Sequence, residues 1–123
     1  MTFASQANQS VNMNDNNVYT ESKTNITVTS SQPEFVLKLK SNPTTGYAWY
    51  LREYDKTLIT AVKHNYQASA KNLIGASGFE FWTFRVKPAG FAVPQQTTIR
   101  MVYARPWQGS DNSTQVVFRI STT

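Results

Sequence analysis

The sequence predicts an all-β protein, an antiparallel sandwich of seven to eight short strands in two packed layers. From about Val18 onward, apolar and polar side chains alternate with a period of two, which is typical of half-buried strands rather than helices. Clusters of proline, glycine, asparagine and serine interrupt the alternation at short intervals, as turns between strands do. The 123 residues suffice for one hydrophobic core and are too few for two ordinary domains.

Each predicted strand is a short run rich in β-branched and aromatic residues, bounded by turn residues. In chain order the strands are residues 26–28, 35–39, 47–51, 58–64, 79–86, 97–103 and 115–120. The stretch from Asn65 to Gly78 is the longest predicted connection. The strand at residues 79–86 follows this connection, and the sequence Lys87-Pro88-Ala89-Gly90 predicts a tight turn at the end of that strand.

The same alternation predicts which side chains form the core. The predicted core residues are Ile26, Val28, Phe35, Leu37, Leu39, Trp49, Phe81, Val86, Ile99, Met101, Val117 and Phe118. Val116, Val117 and Phe118 are adjacent, so they cannot all point inward from one strand, and one of the two possible registers there must be wrong.

The first seventeen residues are poor in apolar side chains and contain five asparagines. Such a composition is typical of a segment that does not pack. We therefore expect a flexible polar tail over residues 1–17 and the sandwich domain over residues 18–123.

The sequence contains no cysteine, which excludes disulfides, thiol nucleophiles and thiolate metal sites. No run approaches the roughly 18 apolar residues of a membrane-spanning helix, so we expect no membrane partner. The first residues lack the basic start and apolar segment of a signal peptide. This predicts a cytoplasmic protein, or a secreted, lysosomal or periplasmic one from which a signal has been removed.

Twelve basic and seven acidic residues give a net charge of +5. The basic residues fall mostly at alternate strand positions, as on solvated outer faces, and no basic cluster with interleaved aromatics is present. We therefore expect no nucleic-acid partner, and interpret the charge as favouring solubility and electrostatic steering.

An enzyme is the second class of function to consider. His64 is the single histidine, and the conceivable triads combine it with a serine and Asp15, Asp55 or Asp111. No nucleophile elbow, phosphate-binding loop, metal motif or carboxylate pair accompanies these residues. We therefore predict a protein that is not an enzyme and has no cofactor or metal, with His64 as a surface residue or a satisfied polar residue.

The most informative feature is the turn from Asn42 to Gly46, which an aromatic strand follows directly. Pro43 fixes its own φ and pushes Asn42 towards extended geometry. Gly46 permits a positive φ. Thr44 and Thr45 are therefore expected on a pre-shaped tip, although an ordinary turn between strands would have a similar composition.

Two further loops complete a set of three: Gly75-Ala76-Ser77-Gly78 before Phe79, and Arg105-Pro106-Trp107 after the strand that ends at residue 104. Loops that join opposite sheets of a sandwich gather at one end. In this order the three loops resemble those of the chagasin-type inhibitors of papain-like cysteine peptidases, which carry NPTTG, GxGG and RPW loops on an immunoglobulin-like sandwich. Ser77 departs from that pattern, because it stands where the second loop usually has a glycine.

The resemblance implies a monomer that inhibits papain-like cysteine peptidases of the cathepsin L or B type, endogenous or of a host. Inhibition would be reversible and competitive, in a one-to-one complex, with the three loops inserted as an uncleaved wedge. Thr44, Thr45 and Gly46 would enter at the catalytic centre. Leu73 to Phe79 would line one side of the cleft, and Trp107 would rest on the other.

Arg105 would either reach a polar group of the enzyme or brace the neighbouring loops. The implied peptidase-binding residues are Asn42, Pro43, Thr44, Thr45, Gly46, Tyr47, Leu73, Ile74, Gly75, Ala76, Ser77, Gly78, Phe79, Arg105, Pro106 and Trp107. We expect structural roles for Trp49 and Trp82, because both lie inside strands, and exposure for Trp107. The alternative function is that of an immunoglobulin-like adhesion or receptor-binding module, which would use a sheet face.

Overall fold

The computed structural model describes residues 17–68, 78–105 and 114–123. These residues form eight strands, two short 3₁₀ helices and no α-helix. The strands are β1 (Val18–Tyr19), β2 (Asn25–Val28), β3 (Glu34–Ser41), β4 (Ala48–Tyr54), β5 (Ile59–Gln67), β6 (Gly78–Val86), β7 (Gln96–Ala104) and β8 (Thr114–Thr122). The 3₁₀ helices are Pro43–Thr45 and Pro88–Phe91. No helix in these three ranges is long and apolar enough to cross a membrane.

The strands form two four-stranded sheets, which confirms the predicted two-layer sandwich. The first sheet has the order β1-β3-β6-β5, and the second has the order β2-β8-β7-β4. Two outer pairs, β1 with β3 and β2 with β8, are parallel. The prediction of antiparallel strands is therefore wrong at these two pairs, because a period of two reports which face a side chain takes but not the direction of the neighbouring strand.

Fourteen buried side chains fill the space between the sheets. They are Tyr19, Ile26, Val28, Phe35, Leu37, Leu39, Trp49, Ile59, Phe84, Val86, Ile99, Met101, Phe118 and Ile120. Ten of the twelve predicted core residues are among them. Each fully buried aliphatic or aromatic side chain stabilises the folded chain by about 1.5–3 kcal/mol relative to an exposed one.

The prediction is wrong for Val117, which is 36% exposed, while its neighbour Phe118 is buried. Val117 lies opposite Arg100 on the outer face of the second sheet. This decides the register that the sequence left open over residues 116–118.

The prediction is also wrong for Phe81, because Glu80 takes the inward position in β6. Glu80 lies opposite Leu39 of β3, whereas Phe81 lies opposite Lys38 on the outer face. Aromatic residues occupy positions of both parities in this strand, so its alternation fits either face. A shift of one residue exchanges the two faces completely.

The ends of the described segments refine two further predictions. β5 extends to Gln67, so the connection that was predicted to begin at Asn65 begins later. Asn17, the last residue of the predicted tail, is buried, and its carbonyl accepts the N–H of Val36 at 2.8 Å. Residues 1–16 lie outside the described part of the chain.

Candidate functional site

The loop at residues 42–47 carries the chain from the first sheet to the second. It follows the end of β3 at Ser41 and precedes the start of β4 at Ala48. Its first half is the 3₁₀ helix Pro43–Thr45, and Gly46 then has a φ of 84°. The predicted positive φ at Gly46 is thereby confirmed, and it turns the chain from the helical tip into the strand.

Asn42 organises this loop through both of its oxygens. Its side-chain Oδ1 accepts the backbone N–H of Thr44 at 3.2 Å and the hydroxyl of Thr44 at 2.6 Å. Its carbonyl accepts the N–H of Thr45 at 3.2 Å and the hydroxyl of Thr45 at 2.7 Å. Thr44 and Thr45 are exposed, yet both hydroxyl hydrogens point into the loop. The hydroxyl of Thr44 therefore presents lone pairs, rather than a hydrogen, to the outside. That of Thr45 also accepts the N–H of Tyr47 at 3.4 Å.

Residues at the end of β7 hold loop 42–47 from the second sheet. The hydroxyl of Tyr103 accepts the N–H of Asn42 at 3.0 Å, and the Nε of Arg105 donates to the carbonyl of Thr45 at 3.0 Å. The Arg105 guanidinium lies 4.6 Å from the centre of the Tyr47 ring, which itself stacks on Tyr103 at 5.2 Å. Of the two roles expected for Arg105, bracing the neighbouring loop is therefore the one it performs in the free protein.

The strand register brings the ends of the three predicted loops to one end of the sandwich. Ser41 lies opposite Gly78, and Ala48 lies opposite Ala104. Loop 42–47 is therefore flanked by the start of β6 on one side and by the end of β7 on the other. The other predicted site residues, Leu73, Ile74, Gly75, Ala76, Ser77, Pro106 and Trp107, lie outside the described residues.

Gly78 and Phe79 are the first two residues of β6. Gly78 is buried, and a Cβ there would overlap the carbonyl oxygen of Gln67 and the hydroxyl of Tyr66 in β5. The absence of a side chain at Gly78 thus permits close packing within the sheet. Phe79 is half-buried on the outer face, where the Lys38 ammonium lies 4.4 Å from its ring centre.

Glu80 is a residue of this end of the sandwich that the sequence analysis did not identify. It is 4% exposed, and four groups lie within hydrogen-bonding distance of its carboxylate. Oε2 accepts the Ser41 hydroxyl at 2.7 Å and the backbone N–H of Trp49 at 3.0 Å. Oε1 lies 2.7 Å from His64 Nε2 and accepts Trp82 Nε1 at 3.3 Å. The available sequence signal was an acidic residue at a strand position between two phenylalanines, because such a residue must be paired if it faces inward.

The family model described as "Chagasin family peptidase inhibitor" matches residues 27–121, about three quarters of the chain. The chain belongs to the chagasin family of peptidase inhibitors. The curated relative named chagasin, from Trypanosoma cruzi, is 32% identical over 101 residues, which are 78% of this chain and 87% of that protein.

The fold of this chagasin-family chain is also found in a solved structure. The structure titled "Solution Structure of Amebosin" superimposes with a TM-score of 0.64 and 23% sequence identity. The superimposed part covers 86% of this chain and 96% of the amebosin chain. This similarity is one of fold.

The family match spans all three predicted loops. Near these loops, three of the described aromatic side chains, those of Trp49, His64 and Trp82, have structural contacts. Trp49 is 4% exposed and its Nε1 donates to the carbonyl of Lys40 at 2.9 Å, so its predicted structural role is confirmed. Trp82 packs against the core and stacks on His64 with ring centres 3.9 Å apart. The sequence predicts His64 to be a surface residue or a satisfied polar residue, and it is both, since it is exposed and its Nε2 is paired with Glu80.

Proposed function

We propose that this chain is a reversible, competitive inhibitor of papain-like cysteine peptidases of the cathepsin L or B type, and that it has no catalytic activity of its own. Membership of the chagasin family of peptidase inhibitors supports the class of function. The observation that carries the proposal is the bracing of loop 42–47 by Tyr103 and Arg105, from the end of β7, before any partner binds. A loop that is already ordered loses little conformational entropy on binding.

The hydrogen bonds of the loop suit the catalytic centre of such an enzyme. A papain-like peptidase holds a thiolate beside an imidazolium, and the imidazolium can donate a hydrogen bond. Thr44 Oγ1 donates its own hydrogen to Asn42 Oδ1, so it can accept one from outside. We therefore assign Thr44 to the imidazolium, with Thr45 and Gly46 beside it in the cleft.

The loop also has a physical reason to resist cleavage. Attack by the thiolate requires an accessible carbonyl at a near-attack distance and angle. The carbonyl of Asn42 accepts two hydrogen bonds within the loop, and that of Thr45 accepts the Arg105 side chain. These bonds direct both carbonyls into the inhibitor, and the 3₁₀ turn is far from the extended shape of a peptide substrate.

The remaining predicted residues complete the wedge in this proposal. Residues 73–79 would line one side of the cleft, and Trp107 would rest on apolar residues on the other side as a desolvated anchor. A monomer would bind one enzyme molecule, and an interface of about 800 Å² on each partner would be sufficient for tight binding. Arg105 would act through Thr45 and Tyr47 rather than through the enzyme.

The test is a titration of active papain, at fixed concentration, with the purified chain while hydrolysis of a fluorogenic peptide is followed. We expect a stoichiometric loss of activity that excess substrate relieves, with trypsin unaffected and the chain recovered uncut by mass spectrometry. Full papain and cathepsin activity at micromolar concentrations of the chain would contradict the proposal and favour the adhesion alternative. A cleaved chain would contradict the uncleaved wedge specifically.

A further inference from the structure

We propose that Glu80 is a positioning residue for loop 42–47, whose buried carboxylate holds together the two strand ends that carry the loop. Its effect on inhibition rests on the function proposed above. The positioning itself is a property of the free protein and can be measured without an enzyme.

The two strand ends have no backbone ladder between them. β3 belongs to the first sheet and β4 to the second, so the loop spans the gap between the layers. Glu80 Oε2 bridges this gap, because it accepts the hydroxyl of Ser41 in β3 and the N–H of Trp49 in β4. Ser41 is the residue immediately before the loop, and Trp49 is the second residue after it.

The other carboxylate oxygen fixes the direction in which Oε2 points. Oε1 accepts Trp82 Nε1 at 3.3 Å and lies 2.7 Å from His64 Nε2, so this oxygen is also held by two groups. Trp82 in turn lies between the His64 ring and the Phe84 ring, with centres 3.9 and 6.3 Å away. The carboxylate is therefore held on both oxygens and has little freedom to turn away from the loop.

The burial of Glu80 makes the hydrogen bonds of its carboxylate more important for stability. An unpaired carboxylate in such a site would be strongly unfavourable, whereas four hydrogen-bonding groups replace its hydration here. Removal of the Glu80 side chain would take away the acceptor of two groups at this buried site. The N–H of Trp49 and the hydroxyl of Ser41 would then lack a partner, which favours separation of the strand ends.

This arrangement separates the shape of the loop from its placement. The hydrogen bonds of Asn42 set the shape of the tip, and they involve no atom of Glu80. Glu80 instead contributes, with Tyr103 and Arg105, to where the tip stands relative to the sandwich, and so relative to the other two loops. For a wedge of three loops, a small change in the placement of one loop weakens the fit of all three.

The test compares Glu80→Met, Glu80→Gln and the matched control Thr122→Val. Met keeps the length of the side chain but offers no oxygen acceptor, while Gln keeps one acceptor oxygen for one of the two donor pairs. Thr122 is also buried, and its hydroxyl donates to the carbonyl of Gly90 at 2.7 Å. It lies at the far end of β8, so Thr122→Val removes a buried hydrogen bond away from the loop.

The first readout is hydrogen exchange at the amide of Asn42 in the free proteins, because its bond to the Tyr103 hydroxyl crosses the same gap between the sheets. It is measured under conditions where all variants are folded. We expect exchange about tenfold faster or more in Glu80→Met, an intermediate increase in Glu80→Gln, and little change in Thr122→Val. Unfolding free energies of the same proteins provide the comparison with global stability. Unchanged loop exchange in a folded Glu80→Met or Glu80→Gln protein would overturn the proposal.

The second readout is the inhibition constant for papain at a temperature well below unfolding. We expect it to rise about tenfold in Glu80→Met and to stay unchanged in Thr122→Val. Equal effects of the two variants would overturn the proposal, because they would reflect stability alone. If the wild-type chain does not inhibit papain, the proposed function fails, while the exchange measurement still decides whether Glu80 positions the loop.

Discussion

Asn42 shows how a single residue can determine the shape of a loop. Its Oδ1 and carbonyl oxygen accept four hydrogen bonds from Thr44 and Thr45, and its own N–H donates to Tyr103. Asparagine suits this position because its side chain mimics a backbone carbonyl and can close a turn on its own chain. The residue before a proline is also restricted to extended geometry, which directs Asn42 into this arrangement.

The positive φ of Gly46 leads to a specific prediction for substitutions at this residue. With a φ of 84°, its replacement by alanine is expected to cost about 1–2 kcal/mol, because a Cβ is unfavourable in the left-handed region. Chemical denaturation measures this loss, and papain inhibition should weaken with it. Gly46→Asn is the control, since asparagine tolerates this region better. Equal stability of the Ala and Asn variants would contradict backbone strain as the cause.

Gly78 and Gly90 provide a matched pair of buried glycines. A Cβ at Gly78 overlaps the backbone carbonyl of Gln67, which the ladder holds, whereas a Cβ at Gly90 meets a methyl carbon of Val86. We expect Gly78→Ala to destabilise the fold by about 1–3 kcal/mol and Gly90→Ala by less, measured by thermal unfolding. The reverse order would show that the start of β6 is not closely packed on β5.

At the scale of elements, the connections between strands are stabilised locally. The turn between β4 and β5 is closed by the carbonyl of Asp55, which accepts the N–H groups of Leu58 at 3.1 Å and Ile59 at 3.0 Å. The Asp55 carboxylate also accepts the N–H of Thr57 at 2.9 Å and its hydroxyl. These hydrogen bonds lower the pKa of Asp55, and the one from the Thr57 hydroxyl has the largest effect.

This lowered pKa predicts a pH dependence of stability. Because the pKa of Asp55 is lower in the folded chain than in the unfolded chain, its contribution is present above about pH 4 and is lost as the pH falls through the folded value. Asp55→Asn should therefore show a smaller fall in Tm between pH 6 and pH 2.5 than the wild type.

The control for this prediction is Thr57→Val, which removes the hydrogen bond from the Thr57 hydroxyl to the Asp55 carboxylate. In that background Asp55→Asn should change the pH dependence much less, as a double-mutant cycle would measure. The same pH dependence in the wild type and in Asp55→Asn would contradict the assignment.

At the scale of the whole molecule, the two ends of the sandwich have different tasks. At one end the chain crosses between the sheets in loop 42–47, and Glu80, Tyr103 and Arg105 hold the crossing. At the other end Thr122 hydrogen-bonds to Gly90 and Gln95. The fourteen core side chains lie between these two ends.

This division predicts that stability and inhibition can be changed separately. Ile99 is fully buried, so Ile99→Ala should cost about 2–5 kcal/mol of stability with little effect on the papain inhibition constant while the protein stays folded. Trp107→Ala should instead weaken inhibition by roughly 30-fold or more with little loss of stability. Inhibition by Trp107→Ala equal to that of the wild type would contradict the anchor role of Trp107.

Features that depend on short stretches of chain could be predicted from the sequence. A period of two identifies strands and most of the core, because each side chain alternates with its immediate neighbours. Proline and glycine identify the turn at residues 42–46, because they restrict or free φ at their own positions. The positive φ of Gly46 could be predicted for this reason.

Features that depend on residues far apart in the chain are visible only in the folded structure. The direction of β1 and β2, the inward face of β6 and the contact between Arg105 and Thr45 each depend on how separate strands pair. Glu80 is the clearest case, since Ser41 precedes it by 39 residues and Trp49 by 31. A buried acid is stable only where such distant donors converge, and local sequence does not encode that convergence.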